Sequence, residues 1–207
     1  MAGALSAGFG SMSCGGGGTG GTGGGSGTGG GSGGGSGGSS GATCASYCTS
    51  IAACAANPDG GTTFEQYKVN GDCLGSCAGF TQGAAGATSG NTLECRAYHA
   101  GVAAGTGGDK ALHCPHAGPA GDGSCGNNCD GFCDIATRTC PGTFADAGVT
   151  CATACAAFTG VSARYNDSSA AGNTFACRMY HLTVASGGAT AAATHCPHIK
   201  PVSATCN

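Results

Sequence analysis

The 207-residue chain carries a formal net charge of −3, and only 8% of its residues are charged. No basic run occurs anywhere, which argues against a nucleic-acid partner held through phosphate contacts. Gly supplies 45 residues and Cys 17, whereas Leu, Ile, Val and Phe together number 21 and Trp is absent; a large apolar core is excluded, and disulfides are the expected source of stability.

The chain opens with MAGALSAGFGSMSC, a short, small-residue, weakly apolar stretch ending at Cys14. Residues 1–14 read as a partial signal with a lipobox-like end, in which Cys14 is lipidated and ties the protein to a bilayer. Ser11, Met12 and Ser13 replace the usual aliphatic lipobox, and the basic segment that begins a signal peptide is missing. A start placed too far downstream explains both departures. Residues 15–41 are almost entirely Gly, Ser and Thr. They are expected to be a disordered tether with a root-mean-square span of about 30 Å.

Seventeen cysteines is an odd number, and an odd cysteine in an exported chain asks for an explanation. Setting Cys14 aside leaves two sets of eight. Cys44, Cys48, Cys54, Cys73, Cys77, Cys95, Cys114 and Cys125 fall in residues 42–126. Cys129, Cys133, Cys140, Cys151, Cys155, Cys177, Cys196 and Cys206 fall in 127–207. From Gly90 to Pro119 the second set follows the first without a gap at an offset of 82, so that Gly90 aligns with Gly172. GNTLECRAYHAGVA (90–103) matches GNTFACRMYHLTVA (172–185), and CLGSCAGF (73–80) matches CATACAAF (151–158). This is a tandem duplication.

The expected elements are short helices. Cys44–Cys48, Cys73–Cys77, Cys129–Cys133 and Cys151–Cys155 are each spaced i, i+4, which puts both sulfurs on one helix face. Two such helices, antiparallel, form a clamped hairpin if Cys44 pairs with Cys77 and Cys48 with Cys73, one of the many pairings that eight cysteines allow. Asn91 and Asn173 are the expected N-caps of the next helices, with Glu94 completing a capping arrangement in the first; that helix should end near Ala103. Pro115 and Pro197 disfavour helix at the preceding cysteine, so each HCPH (113–116 and 195–198) is expected on a turn at a helix end. No stretch alternates convincingly as a strand. The fold class is therefore mainly α: two tandem small disulfide-rich helical modules, 42–126 and 127–207, after a disordered Gly-rich linker.

All six histidines belong to the repeat. His99, His113 and His116 form one set, and His181, His195 and His198 the other. Three neutral imidazoles suit Cu(II) or Zn(II), with water or a tyrosine such as Tyr98 in a further position. The same placement also suits packing, or a hydrogen bond from a ring to a backbone carbonyl, and both readings stay open. Zinc held by thiolates is disfavoured because no C-x-x-C occurs, and covalent haem because no C-x-x-C-H occurs. Catalysis is not expected: paired cysteines leave no nucleophilic thiol, the acids are scattered, and no GK[ST] follows the glycine run. Arg96 and Arg178 share a position in CRxYH. They are expected to be exposed helix arginines, stacked on a tyrosine or touching an anion.

Cys14 with its Gly/Ser tether, together with the repeated CRxYH…HCPH pattern, resembles the cysteine-rich surface lipoproteins of some Gram-negative soil bacteria. The resemblance implies export to the cell envelope and a surface ligand, and no established activity. The expectation is a non-enzymatic surface binding or structural module, with one three-histidine copper or zinc site per module as the alternative.

Overall fold

The computed structural model describes residues 41–55, 63–145 and 148–207; Cys14 and the tether up to residue 40 lie outside the described residues. Six of the eight described α-helices start from Thr, Asp or Asn, the exceptions being Val69 before the second and Gly188 before the last. Thr43 opens α1 (Cys44–Ile51), its hydroxyl accepting from Ser46 N, while Ser46 Oγ accepts from Thr43 N. This reciprocal capping satisfies two amides that a helix start leaves free. A single 3-10 turn, Ala52–Cys54, follows. Then come α2 (Asn70–Cys77), α3 (Leu93–Ala104) and α4 (Lys110–Ala117). The second module repeats the order with α5 (Asn128–Thr139), α6 (Cys151–Ala156), α7 (Phe175–Ser186) and α8 (Ala189–His195), closed by a 3-10 turn, Cys196–Ile199. No strand occurs among the described residues.

The sixteen cysteines form eight disulfides in one pattern used twice. In the first module Cys44 pairs with Cys77, Cys48 with Cys73, Cys54 with Cys114 and Cys95 with Cys125. In the second, Cys129 pairs with Cys155, Cys133 with Cys151, Cys140 with Cys196 and Cys177 with Cys206. The i, i+4 cysteines thus clamp α1 to α2 and α5 to α6 as antiparallel pairs. Such a chain folds in an oxidising environment, as found outside the cell or in the envelope. No described helix is long and apolar enough to cross a membrane.

The modules pack together over one apolar cluster that draws on both. Tyr47, Ile51 and Leu93 of the first module and Phe132, Phe175, Met179 and Leu182 of the second all belong to it. The closest approach is between α2 and α7. A Cβ at Gly75 would lie 1.8 Å from the backbone oxygen of Ser186, so only glycine fits there. Beside it Ser186 Oγ lies 2.7 Å from Ser76 Oγ and donates to the Asp72 carbonyl at 2.9 Å.

Three local expectations are corrected. The N-caps of α3 and α7 are Thr92 and Thr174, whose hydroxyls accept from Cys95 N and Cys177 N; Asn91 instead donates to Asp134 Oδ2 at 2.7 Å. Glu94 does not cap its helix, because its carboxylate accepts from the amide of Gly83. In the first module HCPH forms the last turn of α4, with Pro115 inside the helix, whereas in the second α8 ends at His195 and tightens into the 3-10 turn. Helix persists at Pro115 because the carbonyl four residues back, which proline cannot bond, finds another donor: Arg164 Nη1 reaches Ala111 O at 2.7 Å.

Candidate metal centre

Each residue type in CRxYH has a separate task, and together they build one site per module. The cysteine on α3 or α7 pins the helix to the end of its module through Cys95–Cys125 or Cys177–Cys206. One residue on, the arginine holds the chain just after HCPH. Arg96 donates to the carbonyls of Gly118, Thr92 and Pro119. Arg178 donates to those of Lys200, Thr174, Pro201 and Cys206 and to Asn173 Oδ1, at 2.8–3.1 Å.

The expected exposed arginines are therefore buried, and the ring beneath each is a phenylalanine. The guanidinium carbons sit 4.1 Å from the Phe80 centroid and 4.4 Å from that of Phe158. Guanidinium suits this place because its planar fork of donors can serve several carbonyls while its face lies on an aromatic ring. Burial pushes both guanidinium pKa values down from the ordinary value. HCPH is held from two further directions. Its cysteine bonds to Cys54 or Cys140, and in the first module the Tyr47 hydroxyl donates to Ala117 O at 2.7 Å.

The result is convergence of the histidines. His99, His113 and His116 each place a ring nitrogen within 4.8 Å of the other two, and so do His181, His195 and His198. His99 Nδ1 and His113 Nδ1 are 2.8 Å apart, as are His181 Nδ1 and His195 Nδ1. His198 Nδ1 lies 3.3 Å from His181 Nδ1. Tyr98 and Tyr180 stand edge-on to His99 and His181, with centroids at 5.1 and 5.2 Å.

Hydrogen bonding sets which nitrogens are free. His99 Nε2 is 3.2 Å from the Thr88 carbonyl, and His181 Nε2 is 3.1 Å from that of Ala170. A carbonyl only accepts, so Nε2 carries the proton in both rings and Nδ1 is the acceptor, with Nδ1–H of His113 or His195 donating to it. Burial lowers the pKa of His99, His116, His181 and His195 below the usual histidine value, and neighbouring imidazoles add to this. These rings are thus held in the neutral form that a metal ion requires.

Two nitrogens bound to one tetrahedral zinc lie about 3.3 Å apart, given bonds of about 2.0–2.1 Å. The 3.3 Å pair already has that spacing, and the 2.8 Å pairs need to open by about half an ångström. Each triad could therefore hold a metal ion. The nearby cysteines could not contribute: Cys95 and Cys125 next to His99, and Cys177 and Cys206 next to His181, are disulfide-bonded.

The two sites share their three-histidine composition, but their surroundings differ. His116 Nε2 faces Asp122 Oδ2 at 3.6 Å, while its Nδ1 is buried and has no hydrogen-bond partner. Nothing in the repeat signalled this, because Asp122 lies beyond the aligned stretch. Comparison with protein-family models, with curated proteins and with solved structures found no match.

Proposed function

We propose that the protein is an envelope-exposed, non-enzymatic binder of Zn(II) or Cu(II), taking one ion at each three-histidine site. The observation that carries this reading is the convergence of three imidazole rings in both modules, with His99 and His181 each fixed by a backbone carbonyl at Nε2 so that Nδ1 faces its neighbours. Ligating histidines are commonly oriented through the other ring nitrogen in this way. Without metal an N–H···N hydrogen bond joins each 2.8 Å pair, and a bound ion would take the place of that proton.

Titration calorimetry of the oxidised protein near neutral pH tests it. The expected result is two ions per chain, with His99→Ala or His181→Ala each removing one. Affinity should fall as the histidines protonate, at a pH below the ordinary histidine value because burial holds the pKa values of His99, His116, His181 and His195 down. If no saturable binding occurs below about 100 μM, a free energy near −5.5 kcal/mol, the sites do not bind metal and the histidines serve packing.

Anchoring through Cys14 belongs to the same proposal. Expressed with its upstream sequence, the protein should partition into detergent, and Cys14→Ser should move it to the aqueous phase. A wild type found wholly in the aqueous phase would exclude the anchor.

A further inference from the structure

We infer that the two metal sites are of unequal strength: the first is the tighter because Asp122 backs His116, and Arg164 of the second module holds that carboxylate in place. This rests on the metal-binding reading above.

Three observations support it. His116 offers a buried, unpartnered Nδ1 while its Nε2 faces the Asp122 carboxylate. At 3.6 Å the carboxylate is in ion-pair range of the ring, and closing by a few tenths of an ångström would let it accept from Nε2, fix the ring and add negative charge near the cation. Asp122 Oδ2 is in turn 3.2 Å from Arg164 Nε, and Arg164 Nη1 bonds the Ala111 carbonyl that Pro115 leaves free. One arginine therefore ties the carboxylate to the helix that carries His113 and His116. The amide of Asp122 also donates to Asn128 Oδ1, and Asn128 Nδ2 donates to Val161 O and Ala163 O, next to Arg164. Both clamps, Asn128 and Arg164, come from the second module.

The backbone points the same way. Asp122 has φ 47°, the only positive φ outside glycine among the described residues, and it lies between Gly121 and Gly123, also at positive φ. Asp is among the few residues besides glycine that adopt this conformation readily, so the turn presents a carboxylate to His116 at small backbone cost.

Among the described residues no carboxylate pairs with His181, His195 or His198. Residues 168–207 contain no Asp or Glu side chain, and Lys200 stands where the first module has Gly118, two positions beyond the last histidine.

Zn(II) alone, titrated into the oxidised full chain against a competing chelator, tests the inference. Wild type should fill in two resolved steps. Asp122→Asn keeps the size and tolerates positive φ, and should weaken the tighter step by about 10–100-fold while leaving the weaker one unchanged. Asp122→Gly relieves the backbone and should weaken the same step, with no fall in the melting temperature of the metal-free protein; a role in fold stability alone would leave zinc affinity unmoved. In a His181→Ala background the first site is read by itself and should show the wild-type tight constant. Two equal steps in wild type, or Asp122→Asn without effect on the tight step, overturn this inference and leave the metal-binding reading standing. No saturable binding in wild type overturns both.

Discussion

Reduction of the eight disulfides is expected to unfold the described region at room temperature. Each bridge closes a loop of 18 to 60 residues and contributes about 2–4 kcal/mol, chiefly by restricting the unfolded chain. The loops interleave, so the values do not add, but even half their sum matches or exceeds the roughly 5–15 kcal/mol that holds a typical domain folded. The apolar cluster cannot compensate, because so many of its members are alanine and the half-cystines themselves. The measurement is circular dichroism before and after a strong reductant, with a chelator present so that freed thiolates gather no metal. Oxidised protein should show no reactive thiol among Cys44 to Cys206. If reduced, alkylated protein kept a cooperative thermal transition, the cross-links would not be what holds the fold.

The second large effect is expected at Arg178. Truncation by Arg178→Ala removes the donors of four backbone carbonyls and one amide oxygen, and empties the space above Phe158. A buried acceptor left without its donor costs about 1–3 kcal/mol, and some of these carbonyls will find water. A net loss of about 4 kcal/mol is reasonable, or a fall of roughly 8–16 °C in melting temperature for a domain of this size. Arg178→Lys should recover little, because one ammonium cannot bridge carbonyls on both sides of the site. Arg96, with three longer contacts at 3.2–3.5 Å, should cost less. A shift at Arg178→Ala below about 2 °C, under 1 kcal/mol by the same scale, would mean that the clamp contributes nothing.

What could be read from the residues follows from what repetition reveals. Cysteines at i, i+4 dictate which helix faces meet, and the duplication marks His99, His113 and His116 as one unit with His181, His195 and His198. Whether a residue is buried is a different kind of fact. Arg96 and Arg178 look like exposed helix arginines because long-range packing puts them inside: Phe80 and Phe158 lie well upstream in sequence, and apart from Thr92 and Thr174 the accepting carbonyls lie 22 or more residues downstream. The caps moved by one residue, from Asn91 to Thr92 and from Asn173 to Thr174, since both residues of each pair can cap and only the backbone path selects between them. Asp122 could not have been found from the repeat, because what matters is a difference between copies. Its role depends on a left-handed turn and on Arg164, 42 positions further along the chain.

No disulfide joins one module to the other, although the two copies present nearly identical cysteine surroundings. Cys44 could meet Cys155 as readily, by local sequence, as it meets Cys77. The order of arrival resolves this ambiguity. A chain delivered amino end first into an oxidising space holds all eight cysteines of its first set once residue 125 has emerged, and Cys129 comes only afterward. Correct pairing is then a matter of timing, enforced by the direction of synthesis. Refolding the full-length reduced chain in a test tube discards that timing, and cross-paired species between the copies become the natural error.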